Sequence, residues 1–223
     1  MFKRFVIGCV ALWMLGANAA PLVYTSAQYT TVAAASAGAD ADFNTDSSAS
    51  AAPPLLTSAT VFNATEFASG SGIAANGLLT TQAEASSLAG VASAVGTSEF
   101  LGTFNLDSSL QLSIDLTNLD FSDAAAFSSG TLFVLVTVDG TTYLDEQLSS
   151  SGLYNYTLGP SIGGSYMFSL LLSSEANTST GGNASNFSSV TFGVSPVPEP
   201  STLLLFGIGL IGCFLRQRRM PLN

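Results

Sequence analysis

Leu110-Gln111-Leu112-Ser113-Ile114-Asp115-Leu116-Thr117 places an apolar side chain at every second position. Successive side chains of an extended strand point to opposite faces, so this octet can bury its leucines and Ile114 on one side and give its polar groups to water on the other. It reads as an outer strand of a half-buried sheet. Downstream, Thr131 to Val138 is nearly all apolar and β-branched, Asp139-Gly140 follows, and Thr141-Thr142-Tyr143-Leu144 comes next. Asp-Gly between two strands is a favoured two-residue turn, because both positions need positive φ. Pairing across it is expected to set Val138 opposite Thr141 and Val136 opposite Tyr143, with Leu135 meeting Leu144 on the other face.

Leu153 to Leu158, Ser165 to Leu172 and Val190 to Val194 read as three more strands, separated by Gly-Pro, Gly-Gly and Asn/Ser/Thr loops. Leu79 through Gly96 is Ala-rich, but Ser, Thr and Gly interrupt it and no 3.6-residue apolar stripe appears, so it too is read as strand. Short strands at this spacing, with turn residues between them, predict an all-β fold over residues 55–195, an antiparallel β-sandwich or jelly-roll-like domain. Residues 20–54 are dominated by Ala, Ser, Thr and Asp and end in Pro53-Pro54. They are expected to be loosely ordered, with one strand around Tyr29 to Ala33. No repeat of solenoid or propeller period is present.

The five basic residues are Lys3, Arg4, Arg216, Arg218 and Arg219, so Ala20 to Pro196 contains no cationic side chain and no histidine. Fourteen of the fifteen acidic residues, all but Glu199, lie in that body, which gives it a side-chain charge of −14. Phosphate backbones need Lys and Arg to displace their counterions, so nucleic acid binding is excluded. Both cysteines, Cys9 and Cys213, fall in apolar runs near the two ends, leaving the body without a disulfide. Its stability must come from burial and backbone pairing.

The two ends are addressing segments. Met1-Phe2-Lys3-Arg4, an apolar run from Phe5 to Gly16 and then Ala17-Asn18-Ala19 have the order of a secretory signal peptide, residues 1–19, with small residues Ala17 and Ala19 for signal peptidase. The far end has the mirrored order: Val197-Pro198-Glu199-Pro200, a transmembrane helix over 201–215, and a basic stop at Arg216, Arg218 and Arg219. Positive charge behind an apolar helix stays in the cytoplasm, so the body faces outward.

Pro198-Glu199-Pro200 before a short membrane helix, with a basic cluster close behind, resembles the PEP-CTERM sorting signal of Gram-negative bacteria. The resemblance spans residues 196–223 and is much weaker over the body. It implies processing by an integral-membrane exosortase, a precursor held in the inner membrane through the C-terminal helix, and then a place at the cell surface or outside the cell. It also implies an association with exopolysaccharide.

With no His, Cys, Lys or Arg in the body, triads, thiol nucleophiles, Schiff-base lysines and histidine metal sites are absent. Carboxylates remain, and a pair can hydrolyse a glycosidic bond when one is protonated and the other ionised. Asp115, Asp120 and Asp123, or Asp145 and Glu146, are the nearest groupings, but Asp115 sits on the polar face of its strand and the others flank turns, so they read as solvated outer-face and loop charges. Asp40-Ala41-Asp42-Phe43-Asn44-Thr45-Asp46 carries oxygen ligands at alternate positions, without the Gly and closing Glu of a calcium loop. Tyr143, Tyr154, Tyr156 and Tyr166 are candidates for a sugar-stacking face, against ordinary strand filling. Asn-x-Ser/Thr stands at Asn63, Asn155, Asn177, Asn183 and Asn186. No catalytic residue, metal site or cofactor is assigned. The expected function is a structural or adhesive one at the surface or in an extracellular matrix, with a carbohydrate-binding module as the first rival and a secreted glycosidase as the second.

An unpaired charge of −14 makes salt dependence a direct readout of self-repulsion. Added salt should raise the midpoint of thermal unfolding. Sodium, magnesium and calcium at matched ionic strength should raise it equally, and an extra shift with calcium alone would reveal a specific site.

Overall fold

The computed structural model describes residues 24–50, 54–106, 109–159 and 164–197. In chain order the strands are β1 (Ser26–Ala37), β2 (Asp40–Ser48), β3 (Leu55–Phe62), β4 (Glu66–Ala75), β5 (Leu78–Ser87) and β6 (Ala92–Leu106). They continue with β7 (Leu110–Ser122), β8 (Ala126–Val138), β9 (Thr141–Leu148), β10 (Gly152–Leu158), β11 (Gly164–Thr178) and β12 (Gly182–Pro196). Two six-stranded antiparallel sheets result, one ordered β2-β1-β6-β11-β8-β9 and the other β10-β7-β12-β5-β4-β3. The sheets face each other as a sandwich. The expected signal peptide and the helix over 201–215 lie outside the described residues, as do Pro198, Glu199 and Pro200.

The alternation of Leu110 to Leu116 works as expected, with Leu110, Leu112, Ile114 and Leu116 all buried. The strand that carries it, however, is flanked by β10 and β12, so it is not at the sheet's edge. At the Asp139-Gly140 turn both residues take positive φ, 49° and 78°. Val138 pairs with Thr141 as expected, but Val136 meets Leu144 and Leu135 meets Asp145, because a bulge between Val136 and Thr137 absorbs Tyr143. An extra residue on one strand shifts everything beyond it by one.

The stretch before Pro54, expected to hold one strand in a loose segment, carries two. β1 lies inside its sheet between β2 and β6, pairing along its whole length with β6 from Ser26 opposite Thr103 to Ala37 opposite Ala92. Its buried positions include Tyr29, Thr31, Ala33, Ala35 and Ala37, whereas Ala34 and Ser36 face outward. Small residues on both faces hide the alternation from a hydrophobicity pattern, and pairing with β6 supplies the order.

The core has two halves of different character. One is built of large side chains, among them Phe100, Phe104, Tyr166, Phe168, Leu112, Ile114 and Leu172. Phe100 is ringed by Tyr24, Tyr29, Phe168 and Phe192 at centroid distances of 5.3, 5.1, 5.9 and 5.0 Å, within the range where aromatic pairs add to simple burial. The other half is almost all alanine: Ala33, Ala35, Ala59, Ala68, Ala83, Ala85, Ala92, Ala94, Ala176 and Ala184 are buried there. Between the halves the two sheets meet backbone to backbone. A Cβ added at Gly70 would lie 2.3 Å from the Val95 carbonyl oxygen, one at Gly72 2.4 Å from that of Thr97, and one at Gly96 2.1 Å from that of Ser71. Real Cβ atoms do not approach so closely, so β4 and β6 can cross here only as glycines.

Short hydroxyls tie the sheets together beside this crossing. Thr81 and Ser174 share a hydrogen bond of 2.6 Å between β5 and β11, and Ser98 donates to the Thr80 carbonyl at 2.9 Å. Thr31 and Thr57 bury hydroxyl oxygens that have no partner, a cost of about 1–3 kcal/mol each. On the open side of the sandwich the Asp42 carboxylate accepts the Thr60 N–H at 3.0 Å. That bond caps an edge strand, β3, which would otherwise offer a free backbone to another chain.

Gly96→Ala forces the sheets apart or twists β6, and should lower the stability measured by urea unfolding by about 2–3 kcal/mol. Gly193→Ala serves as the control, since a Cβ there meets nothing within 4 Å; its effect should stay within about 0.5 kcal/mol.

Candidate functional site

The outer face of the second sheet carries apolar side chains beside hydrogen-bonding ones where β7, β12 and β5 run together. Register sets Phe121, Ser185 and Glu84 in one cross-strand row and Leu119, Phe187 and Gln82 in the next. Alternation along each strand turns both rows outward. Leu119, Phe121 and Phe187 are 62%, 58% and 38% exposed, and with their polar neighbours they line a shallow cavity of about 190 Å³. That is smaller than the roughly 300–1,000 Å³ of most small-molecule pockets, and is of a size for one ring.

The floor is held by a carboxamide network. Asn186, 1% exposed, donates through Nδ2 to Asn118 Oδ1 at 2.7 Å and to Asp120 Oδ1 at 2.6 Å. Asn118 in turn donates to the carbonyls of Gly130 and Ser149 at 3.0 and 2.7 Å, and accepts from Ser188 Oγ at 3.1 Å. One side chain thus joins β7, β8, β12 and the β9–β10 loop. Gly130 makes room for it, because a Cβ there would lie 2.1 Å from Ser188 Oγ and 2.2 Å from Asn118 Oδ1. Gln82 Nε2 donates to Glu84 Oε1 at 2.7 Å. The Asn118 and Asn186 amides are thus taken beneath the sheet, and what the outer face offers is the Glu84 carboxylate, the Gln82 amide and the Ser185 hydroxyl.

The carboxylates singled out from sequence are dispersed. Asp115 is exposed on β7 between Leu153 and Thr191. Asp123 accepts the Asn183 N–H at 3.0 Å and its Nδ2 at 3.1 Å, closing a turn. Asp145 and Glu146 are consecutive on the edge strand β9 and so point to opposite faces. Asp120 lines the same depression, but alternation turns its carboxylate to the inner face, where it accepts from the buried Asn186 and stands apart from the outward Glu84. Among the described residues no three His, Cys, Asp or Glu side chains gather as a metal site. Asp40, Asp42, Asn44 and Asp46 lie along one face of β2, spaced about 7 Å apart, and cannot converge on one ion that needs its oxygens at ~2.3–2.6 Å.

Of the two readings for the tyrosines, strand filling holds over a sugar-stacking face. Tyr166 is fully buried and stacks on Phe104 with centroids 5.3 Å apart. Tyr154 and Tyr156 pack against the core from β10, and only Tyr143, on β9, is widely exposed. The exposed aromatic face is made of phenylalanines instead. Their outward setting was signalled by the continued alternation Leu119-Asp120-Phe121, one turn of pattern past the octet. Burial, with Tyr29 beside it, pushes the Tyr24 phenol up to about 12, so it serves the core and not proton transfer. Of the Asn-x-Ser/Thr positions, Asn186 is buried, and Asn63 is spent on its own turn, accepting the Thr65 and Glu66 N–H groups at 3.0 and 2.9 Å.

At the other functional end, β12 runs to Pro196, and the Val197 N–H donates to the Ser109 carbonyl at 2.7 Å. The Pro198-Glu199-Pro200 tripeptide follows at once, with no spacer between it and a strand held in the middle of a sheet. Residues 196–219 match the PEP-CTERM protein-sorting motif, at the place where the order of parts in the sequence puts one. No curated protein matches the chain. The solved structure of TmCBM61 in complex with β-1,4-galactotriose aligns at 7% identity over 66% of this chain and 91% of that one, with a TM-score of 0.26. A superposition that loose says nothing about fold or ligand here.

Asn118→Ala removes the acceptor shared by Asn186 and Ser188 and leaves the Gly130 and Ser149 carbonyls without their donor, and should lower stability in urea unfolding by about 2–4 kcal/mol. Asp115→Asn, on the solvated face of the same strand, should change it by less than about 0.5 kcal/mol.

Proposed function

We propose that this protein is a non-enzymatic structural or adhesive component of the cell surface or extracellular matrix, delivered there by exosortase processing and associated with exopolysaccharide. The observation that carries this is the sorting motif at residues 196–219 abutting a folded, cation-free β-sandwich. Signal peptidase would cut after Ala19, freeing the body on the outer side of the inner membrane. The apolar run Leu203 to Leu215 is thirteen residues, about 20 Å of helix against a hydrocarbon core of ~30 Å. A helix that short suits a temporary anchor. Arg216, Arg218 and Arg219 would hold its cytoplasmic end, and Pro198 and Pro200 would keep Glu199 extended at the outer membrane surface.

A carbohydrate-binding module is the second reading, favoured by the depression between Phe121 and Phe187. The glycosidase reading lacks support. The carboxylates chosen for it are spread over different faces, and the one depression reached by any of them is shallow and open.

The sorting step is tested by fractionating cells that carry a working exosortase, with one tag after Ala20 and a second at Asn223. Wild type should yield the first tag at the surface or in the medium without the second. Glu199→Ala should leave both tags together in the inner membrane. Both tags on full-length wild-type protein would identify the segment as a plain anchor.

A further inference from the structure

We infer that the depression between Phe121, Leu119 and Phe187 is a subsite for one sugar ring of an amine-bearing polysaccharide. This deepens the matrix function proposed above and rests on it only for where the polymer is met. The ligand class follows from what the site can and cannot offer. Two phenylalanine rings and a leucine present apolar surface that is exposed on the sheet's outer face, matching the C–H face of a pyranose. Its outward polar groups are the Glu84 carboxylate, the Gln82 amide that donates to it, and the Ser185 hydroxyl. The carboxylate is the charged one among them, so a ligand gains most by bringing a donor.

Charge narrows the class further. Nothing between Ala20 and Pro196 is cationic, so an anionic sugar acid or phosphate would meet only repulsion and no partner. A neutral sugar would satisfy the acceptors with hydroxyls but leave the carboxylate charge uncompensated. A protonated amine does both: it makes a charge-assisted hydrogen bond to Glu84, and it gains from lying over an aromatic face. The cavity of about 190 Å³ holds one ring, so single-site affinity is weak, and retention on a polymer comes from many copies engaging one chain. The site is rigid before the ligand arrives. It sits on three paired strands whose register is pinned from beneath by Asn118 and Asn186.

The test is calorimetric or NMR titration of the full-length chain in mild detergent, at pH 6 and 0.15 M NaCl, with a β-1,4-linked glucosamine tetrasaccharide. Binding in the millimolar range or tighter is expected. Phe187→Ala and Phe121→Ala should each weaken it tenfold or more, and Glu84→Gln about fivefold. The double change Asp145→Asn with Glu146→Gln, which removes two charges from the distant edge strand β9, should leave it unchanged. Leu119→Ser reads the same face if either phenylalanine variant fails to fold. Equal loss in the β9 double variant would reduce the effect to bulk charge attraction and overturn the subsite. Equally tight binding of the fully N-acetylated tetrasaccharide would overturn the role of the amine, and no binding would overturn both. Sorting is read from tag positions without any sugar present, so a chain that is processed normally yet ignores the tetrasaccharide rejects the subsite alone.

Discussion

The contact on which this fold depends is the crossing of β4 and β6, where two sheets touch through bare backbone at Gly70, Gly72 and Gly96. Face-to-face sheets ordinarily stand about 10 Å apart with side chains filling the gap. Here one half of the interface is filled by small side chains, and alanine is what nearly every buried position of that half contains, Val61 excepted. Because the sheets close on each other there, the remaining hydroxyls come within reach across the gap, and Thr81 bonds Ser174 directly. The large aromatic half is then a consequence of the sheets diverging past the glycines. Phe100 and Phe104 stand on the same strand as Gly96, a few residues further along.

Stability in such a molecule has few other sources. There is no cysteine in the body and no cation to pair with its fourteen carboxylates, so disulfides and side-chain ion pairs contribute nothing. Carboxylates in the described residues are bonded by amides, among them Asp42 and Asp139 by the Thr60 and Ser165 N–H groups, Asp123 by Asn183, Asp120 by Asn186, Glu66 by Asn63, Glu84 by Gln82 and Glu175 by Asn177. These bonds hold edges, turns and the floor of the depression. The same one-sided charge shapes what the surface can bind. A face rich in acceptors and free of cations selects donors, and the cost of self-repulsion becomes an affinity for positively charged partners.

Leu110 to Leu116 could be read directly because large apolar side chains occupy only one face, and Thr131 to Val138 because it is nearly all apolar and β-branched and ends in a turn signal. β1 could not be read in full. Its inward alanines are matched by outward Ala34 and Ser36, and only pairing to β6 tells the two faces apart. The hairpin turn was legible at Asp139-Gly140, whose φ values any sequence with that pair favours. The bulge at Val136 was not, since it depends on how β9 packs Leu144 toward the core. Similarly, Asp120 was visible as a polar residue near a turn. Its partnership with Asn186, sixty-six residues away, exists only because β7 and β12 are neighbours.

By itself the sequence determined the fold class, the missing catalytic side chains, the uniform negative charge and the sorting motif at 196–219, because composition, period-two alternation and short linear motifs are local properties. Sheet order, register and the close glycine crossing were decided by tertiary structure alone, since they join residues far apart in the chain that carry no mark of one another. The depression belongs to that second group. Glu84, Phe121 and Phe187 become one site only when β5, β12 and β7 lie side by side, and the tyrosines that looked more suited to a sugar were drawn inward by the alternation of their own strands.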